Sequence, residues 1–466
     1  MKNIICLLVD RLHIGYWGAY GNSEIETPTL DRLASESFLA DRFYVDTPDP
    51  VRQCRSWWRG VHVSAQSLSP TIVVQLNAAG YRTVLVTDDP DVAYSSDAGD
   101  FSDVQLLPTP ENVEPYNEID ETHLCGMLAT VAAIAESLAH SGQPYCLWCH
   151  LRGFDEIWDF PIFLREKYCG KDDPEPYQGV TPPFFNQCRM QNAECRMTED
   201  TSFDLSPDQV DDYRQSVVSA YMGGVTMLDE LLEMLTEPLR TGDFGDETLF
   251  LLAGTRGVLF GENGIIGIPP TETVLTEPLA SSLVQVPLVI RFPDGFGAAV
   301  RSDALLQPPD VTRLLYEWLE LPLPDILQST AVAGPNMLDL IHDEPQNLRD
   351  RILIVSSSPE TTSPSKWQPA TKHSAVTGST DVQTISCLVT PSWFLSELAS
   401  SEDYSSGKFA LFVKPDDRCD VNNVADRCAE IVEQLVEVRD DLSQRLVSNN
   451  ATQIESLHDI LRKRYQ

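Results

Sequence analysis

The sequence predicts an α/β protein: a mainly parallel sheet flanked by helices, followed by a smaller C-terminal α+β unit. Three observations carry this. Short apolar runs, such as Ile4 to Val9 and the TLFLLA stretch of Thr248 to Ala253, have the signature of parallel strands covered on both faces. Helix-length segments alternate with such runs along most of the chain, as in a doubly wound fold. After about Glu344 the texture changes to strands separated by Ser-, Thr- and Pro-rich loops, closed by one long helix. The expected division is residues 1–345, with an insertion at about 152–207, and residues 346–466.

The opening strand sets the frame. Its apolar run ends abruptly at a carboxylate, Asp10, before a glycine-punctuated loop to Asn22. Open α/β sheets bind ligands beyond the carboxyl ends of such strands, which makes Asp10 the first candidate functional residue. A helix is predicted over Thr27 to Phe43, with Thr27 as N-cap and Pro28 at the first helical position. Leu30, Leu33, Ala34 and Phe38 follow near the 3.6 period. A Pro-broken loop, TPDPVRQCRSWWRG, then enters a short helical segment near Ser56. The helix at about Ser69 to Ala79 stops at Gly80, and Tyr81 to Thr87 is the next strand.

Residues 88–120 read as acidic loop with a short strand near Val104 to Leu107. A helix from about Thr122 to Ser141 and a strand at Tyr145 to Leu151 follow. The 152–207 stretch shows little periodicity, after which a helix spans Pro207 to Leu235. Val286 to Arg291 is a further buried strand, and residues 310–319 form a helix. In the C-terminal part Ile352 to Ser356, Val382 to Val389 and Phe409 to Val413 read as strands. The closing helix runs from about Asn423 to Val447, with Ile431, Leu435, Val438, Leu442 and Leu446 as its stripe.

The 33 basic residues against 70 acidic ones give a formal charge of −37, which argues against nucleic acid as a partner. It also opposes attraction of polyanions unless positive charge is concentrated locally. No window approaches the ~18 apolar residues of a membrane span. With Met1 as the start there is no room for a secretory signal before the first strand, so a cytoplasmic location is expected. Cys146 and Cys149 form a CLWC spacing inside a strand, where their side chains point to opposite faces, so packing is expected of them rather than redox or zinc chemistry. Cys169, Cys188 and Cys195 match no zinc spacing and are expected to be free thiols.

The order of motifs is informative. NIICLLVD, YGN-x4-TPTLDRLASES, a Pro/Cys/Arg loop, AAGYRTVLV, HLRGFDEIWDFP, TLFLLAGTRGVLFGENG and VPLVIRFPDG follow one another over about residues 2–345. Together they resemble the sulfatase family of the alkaline phosphatase superfamily. The tail, FALFVKPDDRCDVNNVADRCAEIVEQL, looks like that family's closing strand, turn and final helix. The resemblance implies the sulfatase-like fold. It also implies a site built from a divalent cation (calcium or magnesium), a formylglycine nucleophile, and side chains that grip the sulfate.

This sequence departs from that pattern at nearly every site position. Where the family's first strand ends in two Asp ligands, the chain has Asp10 and Arg11. Where the late strand ends in Asp, Asn or His, and Gly, it has Thr255, Arg256 and Gly257. Only Asp10 remains as a metal ligand, and a cation beside two arginines meets about 4 kcal/mol of repulsion per unit charge at 4 Å. The metal site is expected to be lost, with no cofactor replacing it. The nucleophile position holds Pro50, and nearby Cys54 lacks the Pro and Arg that the formylglycine motif requires after it. Arg52, Arg55 and Arg59 around Cys54 are expected to lower its thiol pKa. The Gly-Lys-x-His motif reads Thr87, Asp88, Asp89 and Pro90, and the Asp-Pro-His motif reads Gly153, Phe154 and Asp155.

Three readings follow. In the first the chain is a sulfatase-like pseudoenzyme whose Asp10 pairs with Arg256 or Arg11 in place of a metal. Arg11, Arg52, Arg55 and Arg256 either satisfy carboxylates of the chain or hold an anionic ligand such as a sulfated or phosphorylated sugar. In the second it is an active sulfate or phosphate ester hydrolase, with Thr47, Cys54 or Thr255 as nucleophile. The third assigns the acidic surface and the insertion to protein partners.

Overall fold

The first strand, β1 (Asn3–Val9), is buried along its whole length and lies at the centre of the main sheet. The computed structural model describes residues 2–66, 69–110, 113–186, 206–244, 247–268, 279–328, 336–342, 349–357, 384–398, 408–448 and 454–462. After β1 come β2 (Phe38–Ala40), β3 (Arg82–Thr87), β4 (Asp103–Leu106), β5 (Tyr145–Leu151), β6 (Phe184–Asn186) and β7 (Thr248–Gly254). They are followed by β8 (Leu259–Phe260), β9 (Ile265–Gly267), β10 (Leu288–Arg291) and β11 (Arg301–Ser302). The eight-stranded order is β11-β2-β10-β7-β1-β5-β3-β4, and every pairing is parallel except the two made by β10.

The alternation of apolar side chains along β1 divides the core. Ile4, Cys6 and Leu8 pack with Trp57 of the Pro50–Arg59 helix, Val73 of the Ile72–Ala78 helix and Leu314 of the Pro308–Trp318 helix. Ile5, Leu7 and Val9 face the opposite layer, which holds the Pro28–Ser35, His123–Ala139 and Pro207–Leu231 helices. Helices therefore cover both faces, and Cys146 and Cys149 of β5 lie buried on opposite ones.

The C-terminal sheet is antiparallel, in the order β12 (Ile352–Ser357), β13 (Thr384–Val389), β14 (Trp393–Glu397) and β15 (Phe409–Val413). One face carries the Ala429–Ser448 helix through Leu353, Leu395, Leu411, Leu435 and Leu442. The other face, with Ile354, Cys387, Phe394 and Phe412, joins the core beneath the main sheet. Among the described residues no helix is long and apolar enough to cross a membrane.

Three expectations need correction. The helix predicted to reach Phe43 stops at Ser35, and Phe38–Ala40 forms β2 between β10 and β11. Its three residues continue the apolar pattern, but burial between two strands decides their state. The Pro207 helix ends at Leu231, and Glu233–Thr241 begins a second one. β14 was not predicted, because its short run after Pro391 gains a hydrogen-bonded ladder only from strands on either side. Cys188 and Cys195 lie outside the described residues.

Candidate functional site

Three neighbouring parallel strands at the centre of the sheet, β7, β1 and β5, deliver the site's charged side chains at their carboxyl ends. Asp10 follows β1 directly, and its amide donates to the Leu151 carbonyl at the end of β5 (2.9 Å). Thr255 and Arg256 follow β7, and the Thr255 amide donates to the Val9 carbonyl (3.3 Å). Asp155 arrives from β5 through a tight turn at Gly153, whose φ is +55°. A Cβ there would stand 2.6 Å from Val9 Cγ1 and 2.7 Å from the Asp10 carbonyl oxygen. This close approach lets the Phe154 amide donate to that carbonyl (3.1 Å). Arg11 itself takes a left-handed φ of 62°, a conformation that costs a non-glycine residue free energy unless its surroundings hold it. Tyr221 supplies part of that hold: its hydroxyl donates to the Arg11 carbonyl (2.6 Å) and accepts from the His13 amide (2.8 Å).

These side chains form one closed network. The Arg256 guanidinium lies along Asp10, with Nε 3.0 and 3.1 Å from the two carboxylate oxygens and Nη2 2.8 Å from Oδ2. Asp10 Oδ1 also accepts from the Thr255 hydroxyl (2.7 Å) and the Arg11 amide (2.9 Å). Arg256 Nη2 reaches Asp155 as well (2.9 Å). The Arg11 guanidinium does not pair with Asp10. Its Nε donates to Asp155 (2.8 Å) and its Nη1 to the Gly257 carbonyl (3.1 Å). Two arginines thus face two aspartates, and the formal charge is zero rather than the +1 that Asp10, Arg11 and Arg256 alone would give. Burial by itself would raise the Asp155 pKa, but Arg256 and Arg11 outweigh it and hold the carboxyl down at about 2. Burial opposes the charge on Arg256, yet Asp10 and Asp155 push its pKa upward. Arg11 is pulled down by burial and by its neighbour Arg256, against the two aspartates.

The remaining candidates stand around this network. Pro50 occupies the first turn of a helix capped by Asp49, whose carboxylate accepts from the Arg52 amide (3.1 Å). Thr47 is fully buried nearby, its carbonyl accepting from Gln53 Nε2 (2.6 Å). The same nitrogen reaches the Thr255 carbonyl (2.6 Å), so Gln53 ties this helix to the end of β7. Cys54 lies among the helix's buried residues, with Sγ 3.9 Å from His150 Nδ1. Its thiol pKa is raised, not lowered: burial dominates, and Asp89, Asp49 and Asp97 add to it. Two of the three arginines expected to activate Cys54 are directed elsewhere, Arg59 onto Asp97 (2.6 Å) and Arg55 onto the Ala65 carbonyl. Asp88 accepts from the Arg152 amide (2.8 Å) and has His123 Nε2 at 3.7 Å. Gln53, His150 and Tyr221 were not singled out as site residues from the sequence, since no motif marks them and only the fold brings them here.

A hard divalent cation takes six or more oxygen ligands. Asp10 offers oxygens already occupied by three donor groups, and the neighbouring positions present guanidinium groups and a hydroxyl. This donor set does not fit calcium or magnesium. Among the described residues no cluster of three or more His, Cys, Asp or Glu side chains could hold a metal.

The Sulfatase family model matches residues 2–321. A comparison with curated proteins finds no match. Among solved structures, the fold resembles a phosphonate monoester hydrolase of Agrobacterium radiobacter at 16% identity, with a TM-score of 0.69 and 96% of each chain covered. It also resembles a putative sulfatase from Bacteroides thetaiotaomicron VPI-5482 at 14% identity and a TM-score of 0.67, covering 99% of this chain and 96% of that one. A third similar structure was solved in complex with its substrate D-glucosamine-2-N,6-O-disulfate, at 15% identity and a TM-score of 0.64, covering 97% of this chain and 100% of that one. The family match spans well over half of the sequence and the fold agrees with it over nearly all of the chain, so this protein belongs to the sulfatase family.

Proposed function

We propose that this chain is a non-catalytic member of the sulfatase family, a pseudo-sulfatase in which an ion network replaces the metal and nucleophile. The observation that carries the reading is the Arg256 guanidinium lying on both oxygens of Asp10. A buried carboxylate needs a partner, and a fixed guanidinium supplies one permanently. Pro50 offers no nucleophilic atom, and a thiol raised by burial, as Cys54 is, holds little thiolate. Asp155 neutralises the cationic surface on which a sulfate would rest. A small anionic molecule, such as a sulfated sugar, is the ligand class we assign to the protein.

The test is turnover of an aryl sulfate, an aryl phosphate and a phosphonate monoester, each with and without calcium, magnesium or manganese. We expect no hydrolysis above buffer, no stoichiometric metal by elemental analysis, and a melting temperature indifferent to EDTA. Turnover that Asp10→Ala abolishes, or tightly bound stoichiometric calcium, overturns the reading and favours a hydrolase with a divergent site.

A further inference from the structure

A cavity lies beyond the carboxyl end of β1, to one side of the Asp10 network. At about 680 Å³ its volume falls within the usual ~300–1,000 Å³ range of small-molecule sites. One wall is the segment after β1, a second is the β2–β10–β11 flank, and a third comes from loops of the C-terminal sheet. None of Asp10, Arg11, Asp155, Thr255 and Arg256 lines it. The strand-leading segment around Ser282 stands between the two sites, with its carbonyl packed so closely on Gly257 that a Cβ there would lie 2.0 Å away.

The lining is cationic in a strongly acidic protein. Arg42, Arg301, Lys414, Arg418 and Arg462 contribute five positive charges, against two lining carboxylates, Asp41 and Asp303. Two of the five are neutralised: Arg301 pairs with Asp41 (2.6 Å), and buried Lys414 pairs with Asp420 (2.6 Å). Arg42 is held in place by carbonyls rather than by a carboxylate, donating to Thr390 and Pro391 (3.1 and 3.0 Å). The Arg418 and Arg462 carbonyls accept from Lys414 Nζ (3.5 Å) and Ser392 Oγ (2.8 Å), but their exposed guanidinium groups make no hydrogen bond or ion pair among the described residues. A chain of net charge −37 that gathers unpaired guanidinium groups around one hollow has concentrated positive charge locally, which focuses a field on anions.

We propose that this cavity binds a small molecule carrying two or more anionic groups, held by Arg42, Arg418 and Arg462. Guanidinium groups bind carboxylates, sulfates and phosphates through paired hydrogen bonds, and their convergence from three chain segments selects ligands with separated charges over single ions. Arg301 and Lys414, already paired, shape the walls. The site is independent of the pseudo-sulfatase reading, because it shares no charged residue with the Asp10 network.

The test is calorimetric titration of the full chain at low ionic strength with citrate, inorganic pyrophosphate and D-glucosamine-2-N,6-O-disulfate, which separate carboxylate, phosphate and sulfate sources. We expect saturable one-to-one binding of at least one probe, weakened by added salt. Arg418→Ala with Arg462→Ala removes two charge-assisted contacts and should weaken binding by about a hundredfold or more. The melting temperature should not change, since neither side chain is bonded among the described residues. Lys171→Ala, outside the cavity, should leave binding intact. No binding of any probe overturns the proposal. So does binding that the double variant leaves unchanged, which would place the ligand elsewhere.

Discussion

At the scale of single residues, Arg256 carries more structural weight than any other side chain of the site. It satisfies Asp10 through two nitrogens and touches Asp155 with one of them. Removing one partner of a buried pair commonly costs about 3–5 kcal/mol, because the other charge is left uncompensated. Arg256→Ala should therefore lower stability by that order in urea unfolding. Arg256→Lys should recover only part of it, since an ammonium cannot span both oxygens of Asp10. The double variant Asp10→Leu, Arg256→Met should cost less than Arg256→Ala alone, because it removes the charges together. A double variant as destabilised as the single one would show that the network does not hold these strand ends. The sequence made the pairing of Asp10 with an arginine legible, since a lone carboxylate beside Arg11 and opposite Arg256 needs a counter-charge. It did not show that Arg11 turns away to Asp155, which depends on the left-handed backbone at Arg11 and on Tyr221 behind it.

At the scale of elements, the turn after β5 is the piece that brings Asp155 into reach. Gly153 combines a positive φ with a contact that leaves no room for a methyl group. Gly153→Ala should destabilise the protein by more than ~1 kcal/mol and loosen the Asp155 contacts. Gly126 gives the opposite sign within the His123–Ala139 helix, where a Cβ would meet nothing within 4 Å. Gly126→Ala should stabilise by about 0.5–1 kcal/mol. Chemical denaturation of both variants checks the pair, and a neutral Gly153→Ala would remove the steric account of the turn. Strands that carry long apolar runs, such as β1, β5 and β7, were legible because their burial on both faces is written in composition. Short ones such as β2 and β14 were not, because three to five residues hold too little periodicity to outvote their surroundings.

For the whole molecule, acid is the informative perturbation. His13 sits buried beside the network, its Nδ1 accepting from the Gly15 amide (2.8 Å), and burial lowers its pKa to about 4. The unfolded chain binds this proton near the ordinary value of about 6.5, so stability falls as the pH drops from there toward 4. His13→Asn keeps an acceptor for Gly15 and should flatten that part of the curve of stability against pH. Asp155 acts lower: its pKa of about 2 adds stability above the unfolded value near 3.8, and that stability is lost as pH falls through 2. Differences between wild-type and variant curves isolate these groups from the relief of acidic self-repulsion. Identical wild-type and His13→Asn curves between pH 6.5 and 4 would mean that His13 does not charge on unfolding.

The sequence by itself determined the family, the alternation of strands and helices, and the residue types at the family's site positions. Those features depend on local composition and order, which a chain carries wherever it folds. The tertiary structure decided the partners: Arg256 on Asp10, Arg11 on Asp155, a buried Cys54 beside His150, and a C-terminal sheet whose inner face joins the main core. It also brought Arg42 to one cavity with Arg418 and Arg462, which lie 376 and 420 residues further along the chain. Charge pairing and burial are set by distances across the fold, and spacing along the chain does not contain them.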